Sequence, residues 1–226
     1  MPRIFSSNGE VAWVDWFTSV GGLYLYNDEV DKPHPVWWGA QEYHMDGTLC
    51  TGPILEKASL VDQACQSLAS MTNTHLGDAG LQIEADTRVF GLGRPEDVTA
   101  LVHNLAVHLK CKSGYTEIMC LQGRLPAKGE RVLLVIDKLL TIPGWEDDGL
   151  NGTIQILRRS GIEFLPHIVC LVNATGLSEI HGFKIISLVN QKITMWPADK
   201  CPLCQSGSPS IASGDLLTIT KRIRPD

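Results

Sequence analysis

The sequence predicts an α/β fold: a mostly parallel twisted sheet flanked by helices, with an aromatic-rich extension at its N-terminus. Two observations carry this. An apolar run at 132–136 (VLLVI), too short for a buried helix and rich in β-branched residues, suits a strand buried on both faces, and 164–172 and 184–189 supply two more strands. Between and before them lie stretches with helical apolar spacing, such as Val98, Leu101, Val102, Leu105 and Leu109, or Leu150, Ile154 and Leu157. Strands alternating with helices through short links imply parallel pairing and right-handed crossovers.

Residues 1–42 form the extension and 43–226 the α/β domain. Trp13, Trp16, Trp37, Trp38, Tyr24 and Tyr26 lie in the extension, and aromatics of this density are expected to pack it onto the sheet domain or a second subunit. A stacking platform for a base is the alternative. His44 beside Asp46 and Gly47 reads as a turn or strand-end hydrogen-bond pair. From Pro53, a first-turn residue, the spacing of Ile54, Ala58, Val61, Cys65 and Leu68 predicts a helix. Residues 72–86 are polar and read as a connection; 88–91 is a short strand. Pro95, Glu96 and Asp97 start a second helix, and 115–121 is a further strand.

The central strand follows at 132–136, with Asp137 at its expected end and a loop of Thr141, Pro143 and Gly144. Glu146, Asp147 and Asp148 lead into the helix of Leu150, Ile154 and Leu157, which Gly161 stops after Arg158 and Arg159. A strand, an acid-tipped loop and a helix are how an open α/β sheet builds a ligand site at its carboxyl edge.

Composition narrows the function. A chain of 226 residues with 44% hydrophobic and 19% charged residues is long enough for a sizeable core and too apolar for disorder. A formal charge of −6 argues against general binding to a nucleic-acid backbone; Lys221, Arg222 and Arg224 form the basic cluster and read as a solvated tail. There is no run of about 20 apolar residues to span a bilayer. The first residues lack the pattern of a secretory signal, and seven cysteines, an odd number, do not suggest a disulfide framework. A reducing cytoplasm is the expected compartment.

The residues around Asp137 resemble a known family. Residues 132–137 (VLLVID), followed by Lys138, Leu139, Leu140, Thr141, Ile142, Pro143 and Gly144, resemble the ribose-phosphate signature of type I phosphoribosyltransferases: four apolar residues, two acids, then Thr-Thr-Gly-Gly. Residues 171–176 (LVNATG) and 201–204 (CPLC), with Gly207 and Pro209, resemble blocks of the orotate phosphoribosyltransferase branch, as does the His44–Gly47 block. The resemblance spans residue 43 to the end of the chain.

It implies a set of site residues. Asp137, Leu140, Thr141, Ile142, Gly144 and Trp145 would hold the ribose-phosphate, through backbone N–H groups at a helix N-terminus. Gly93, Arg94, Glu117 and Arg124 would hold pyrophosphate, and Asn173 and Thr175 would face the base. An active relative would transfer phosphoribose from phosphoribosyl pyrophosphate to an orotate-like base with Mg²⁺, which could use Asp137. Relatives are commonly homodimers, and the aromatic extension could add a protein partner.

Several residues depart from the pattern. Ile136 stands where the first acid belongs, and Ile142 and Pro143 stand for the glycines; proline gives no N–H to a phosphate. Ile118 replaces a lysine that neutralises pyrophosphate. Glu146, Asp147 and Asp148 satisfy the helix dipole themselves, worth about 0.3–1 kcal/mol each, and repel a phosphate. The expectation is therefore a diverged phosphoribosyltransferase-fold protein that binds a nucleotide, a phosphoribosyl-type ligand or a protein, with transfer weak or lost; the alternative is an active transferase. A third reading gathers a divalent metal on Asp137, Glu146, Asp147 and Asp148 for different chemistry.

Cys201 and Cys204 form half a zinc site. Two small apolar thiols packed in a turn is the favoured reading, with zinc completed in space by Cys111 and Cys120, or by His181 and Cys170, as the alternative.

Overall fold

The computed structural model describes residues 9–26, 32–38, 42–93, 95–116, 125–140 and 150–213. The chain begins with helix α1 (Gly9–Ser19) and strand β1 (Leu23–Leu25), then β2 (His34–Trp38), β3 (Glu42–Met45) and β4 (Gly47–Leu49). A single turn α2 (Gly52–Leu55) precedes the long α3 (Ala58–Asp78). The alternating part is β5 (Arg88–Leu92), α4 (Pro95–Leu109), β6 (Lys112–Thr116), β7 (Arg131–Leu139), α5 (Leu150–Arg159) and β8 (Glu163–Asn173). It is followed by β9 (Glu179–Ile180), β10 (Phe183–Asn190), β11 (Met195–Pro197), the short α6 (Pro202–Gln205) and β12 (Ser210–Ala212).

Six strands form the main sheet in the order β6-β5-β7-β8-β10-β9. Every pairing from β6 to β10 is parallel, and β9 closes the edge as an antiparallel partner of β10. The expected mostly parallel sheet is thus present. Its five parallel strands run second-first-third-fourth-fifth in chain order, the arrangement of one common class of doubly wound sheet.

The sheet carries helices on both faces because β7 alternates. Leu133 and Val135 point into a core shared with α3, α4 and the N-terminal residues Trp13 and Phe17. Val132, Leu134 and Ile136 point into a second core with Leu150, Ile154 and Leu157 of α5. Such strands need apolar residues at successive positions, which is what the run at 132–136 supplies. Gly161, at φ 75°, ends α5 as expected.

A smaller four-stranded sheet, in the order β11-β3-β2-β12, joins the two ends of the described chain. Trp13 and Trp16 meet edge to face at 5.0 Å, and Trp16 meets Phe17 the same way at 5.4 Å. Trp13 and Phe17 are buried in the chain's own core, so this part of the aromatic segment packs onto the sheet domain.

Apart from a break at residues 56–57 that splits the helix expected from Pro53 into α2 and α3, three boundaries differ from the sequence expectation. α3 runs on to Asp78, so residues 72–78 are helix rather than connection, because Leu68, Thr72 and Leu76 continue its buried stripe. β6 begins at Lys112, three residues before the expected start, and residues 117–121 lie outside the described ones. β7 continues to Leu139, so Asp137 sits two residues inside the strand rather than at its tip.

Candidate functional site

The topology fixes where a ligand site belongs. From β5 the chain goes out to β6 on one side and returns to β7 on the other, so the connections leaving the carboxyl ends of β5 and β7 diverge and open a crevice. Both stretches that resemble ligand loops, at Gly93 and after Asp137, leave the sheet at this point. At the far ends of these strands, Arg88 pairs with Glu130 at 2.8 Å and Arg131 with Glu84 at 2.7 Å, tying the opposite edge.

Gly93 leads from β5 into α4. Its φ is 153°, and a Cβ built there would lie 2.7 Å from Cγ1 of Val98, so only glycine lets the loop turn this closely over the helix. α4 therefore starts directly after the carboxyl end of β5, with Pro95 in its first turn.

On β7 the two signature positions face opposite ways. Ile136 is 8% exposed and belongs to the apolar core under α5. Asp137, 7% exposed, faces the other side, where Thr51 Oγ1 donates to its Oδ2 at 2.8 Å. Lys138 Nζ lies 3.3 Å from the same oxygen. Thr51 enters just before α2, so the segment after β4 anchors the retained acid. Leu140 packs against the core on the α3–α4 side. Thr141, Ile142, Pro143, Gly144, Trp145 and the acids Glu146, Asp147 and Asp148 lie outside the described residues, as do Arg94, Glu117, Ile118 and Arg124.

Asn173 and Thr175 form a closed turn at the end of β8. Asn173 Oδ1 accepts from the Thr175 amide at 3.1 Å and from Thr175 Oγ1 at 2.6 Å. Its Nδ2 donates to Leu177 O at 2.7 Å and to Asn190 Oδ1 at 3.0 Å. An asparagine amide offers two donors and two acceptor lone pairs, so all four are in use. Thr175 Oγ1 in turn accepts from the Leu177 amide at 3.0 Å. This saturated network shapes the 173–177 turn at the sheet's carboxyl edge.

The cysteine pair has different companions from those expected. His34, His44, Cys201 and Cys204 converge, with one ligand atom of each lying within 4.8 Å of all the others. Cys111 lies just before β6, Cys170 in the interior of β8 and His181 in the β9–β10 turn, away from the pair, and Cys120 lies outside the described residues. Burial pushes the Cys111 thiol up to about 11 and drives Cys170 higher still, with Asp137 adding to the latter; both favour the inert thiol.

β2 and β3 pair antiparallel with Val36 opposite His44, which puts His34 and His44 on one face as diagonal neighbours. The cysteines come from the connection that crosses from β11 to β12, the two edges of the small sheet. Asp46, beside His44 in sequence, accepts from the Thr194 amide at 2.7 Å and so fixes the start of β11. Sequence reasoning had the cysteines but not the histidines, whose one signal was an even spacing across a hairpin.

No protein-family model matches the chain. It is 25% identical over 166 residues to an orotate phosphoribosyltransferase of Caldicellulosiruptor bescii, covering 71% of this chain and 78% of that protein. Among solved structures, the orotate phosphoribosyltransferase of Aeropyrum pernix superposes with a TM-score of 0.55 at 16% identity, covering 78% of this chain and 93% of that one. UMP synthase of Leishmania donovani gives 0.53 at 14% identity over 80% of this chain, which spans 35% of that longer protein. These likenesses give the chain the fold of the type I phosphoribosyltransferases, and in sequence it is similar to an orotate phosphoribosyltransferase at 25% identity.

Proposed function

We propose that the chain binds a nucleotide or phosphoribosyl-type ligand in the β5–β7 crevice and that its transfer activity is weak or lost. One observation carries the reading: of the two signature positions, Ile136 is sealed in the apolar core, and Asp137 already holds Thr51 and Lys138 on one carboxylate oxygen. A single carboxylate so engaged offers less to a ribose diol than the acid pair of the signature, and transfer through a cationic sugar depends on placed charge.

Mg²⁺ fits poorly at Asp137. The Lys138 ammonium, 3.3 Å from Oδ2, supplies the counter-charge and repels a dication approaching that oxygen.

The test combines two readouts on the full chain. Thermal-shift measurements with a panel of nucleoside monophosphates and phosphoribosyl pyrophosphate are expected to raise the melting temperature with at least one of them. Pyrophosphate release with phosphoribosyl pyrophosphate, Mg²⁺ and a base panel is expected to stay at the protein-free background. Sustained release with any base would establish the active-transferase reading instead, and inertness in both assays would remove the ligand proposal.

A further inference from the structure

We propose that His34, His44, Cys201 and Cys204 form a structural zinc site that clamps the N-terminal hairpin to the C-terminal crossover of the small sheet. The inference stands apart from the crevice and does not depend on the ligand proposed for it.

Geometry comes first. His34 Nε2 lies 2.8 Å from His44 Nδ1, 3.5 Å from Cys204 Sγ and 3.8 Å from Cys201 Sγ, and Cys204 Sγ lies 3.1 Å from His44 Nδ1. Tetrahedral zinc, with Zn–N of about 2.0–2.1 Å and Zn–S of about 2.3 Å, sets its ligand atoms roughly 3.4–3.8 Å apart. The two imidazoles need to part by about half an ångström to reach that spacing, a small rotation for rings on adjacent strands.

One histidine of the cluster is oriented by a buried hydroxyl. His34 Nδ1 faces Ser208 Oγ at 2.9 Å, and that hydroxyl donates to Lys32 O at 2.9 Å. Ser208 therefore accepts from His34 Nδ1–H, which leaves Nε2 with its single in-plane lone pair. His44 Nδ1, Cys201 Sγ and Cys204 Sγ all crowd that one lone pair. One cation takes all four atoms as ligands. A ligating histidine held through its other ring nitrogen by a buried polar group is also the usual outer-shell arrangement of zinc sites.

The donor set selects the metal. Two thiolates and two imidazoles favour zinc over the hard cations, which prefer oxygen. Four protein ligands complete a tetrahedron and leave no position for water or substrate, so the site is structural. His34, His44 and Cys201 are buried and Cys204 is exposed, which leaves an edge for the metal to enter.

The local chain is built for the role. Cys201 precedes α6 and Cys204 lies within its single turn, with Gln205 N bonded to Cys201 O at 3.3 Å and Ser208 N to Leu203 O at 3.0 Å. This knuckle sits midway along the β11–β12 crossover, above the strands that carry the histidines. The crossover is also held by the short edge pairing of β12 with β2 and by the Ser208 bonds to His34 and Lys32.

The test uses the full chain, purified without a polyhistidine tag and without chelator. Elemental analysis is expected to find about one zinc per chain. Replacing it with Co²⁺ should give the visible bands of a tetrahedral ion and the near-ultraviolet charge transfer of two thiolates. Cys204→Ser, at the exposed ligand, should lower the metal content severalfold and weaken the charge-transfer band, while Cys111→Ser leaves both unchanged. Chelator should lower the melting temperature of the wild type and not of metal-free Cys204→Ser. A wild-type protein that takes up neither zinc nor cobalt, that joins Cys201 to Cys204 as a disulfide under reducing purification, or whose cobalt spectrum survives Cys204→Ser unchanged, overturns the proposal.

Discussion

Thr51 Oγ1 donates a 2.8 Å hydrogen bond to Asp137 Oδ2, and through it the segment after β4 is fastened to the strand at the centre of the sheet. Thr51 is 2% exposed and Asp137 7%, so neither group exchanges this bond freely for water. Removing the donor leaves a charged acceptor short of a partner in a buried setting. Thr51→Val, nearly isosteric, is expected to cost about 1.5–3 kcal/mol in urea denaturation. Asp137→Asn should cost less, because an amide oxygen still accepts from Thr51. Equal losses for the two would show that the bond contributes little.

Ile136 bears on whether the signature can be rebuilt. The side chain lies among Leu134, Leu150 and Ile154, so a carboxylate at this position enters an apolar core rather than the crevice. Ile136→Asp is expected to lower stability by several kcal/mol and to gain no transfer activity. Ile136→Val should cost only about 0.5–1.5 kcal/mol. Denaturant midpoints and pyrophosphate release on the same preparations check both halves.

Gly93 and Val98 form a testable pair at the mouth of the crevice. Gly93→Ala places a methyl group 2.7 Å from Val98 Cγ1 at a φ of 153°, and a loss of about 1–3 kcal/mol is expected. Val98→Ala removes the contact and also opens a cavity. In the double variant the two losses should sum to less than their separate values, since one steric conflict is relieved. Strict additivity would locate the whole cost in the backbone conformation.

The centre of the main sheet was legible in the sequence because β7 is buried on both faces and needs a continuous apolar run. The end of α3 was hidden because Thr72, Thr74 and His75 look like a connection, while the stripe of Leu68, Thr72 and Leu76 that decides the matter spans only two turns. The ribose-phosphate motif located the crevice, yet β7 outruns the motif and carries Asp137 inside the strand. The zinc ligands were half legible. Cys201 and Cys204 advertise themselves by spacing, whereas His34 and His44 meet them only through a hairpin register and a crossover between opposite sheet edges.

His167 supplies a pH dependence. Burial, with His75 and Lys184 adding to it, holds its imidazole below the ordinary histidine value. Its Nδ1 is buried with no hydrogen-bond partner among the described residues, which disfavours the charged form further. The unfolded chain takes up the proton near pH 6.5, before the folded chain does. This histidine's share of stability is therefore complete above that pH and declines as pH falls through it toward the lower folded value. His167→Gln should flatten the decline relative to wild type between neutral and mildly acid pH, read from thermal midpoints. A slope unchanged by the substitution would assign the dependence to other groups.

The proposal is that the carboxyl edge of β5 and β7 binds a phosphoribosyl-type ligand with transfer weak or lost. Phosphorus NMR of the protein with phosphoribosyl pyrophosphate, Mg²⁺ and orotate reads both parts in one sample. The account predicts broadened phosphoribosyl resonances and no inorganic pyrophosphate above a protein-free control. A pyrophosphate signal that grows in proportion to protein concentration would contradict it.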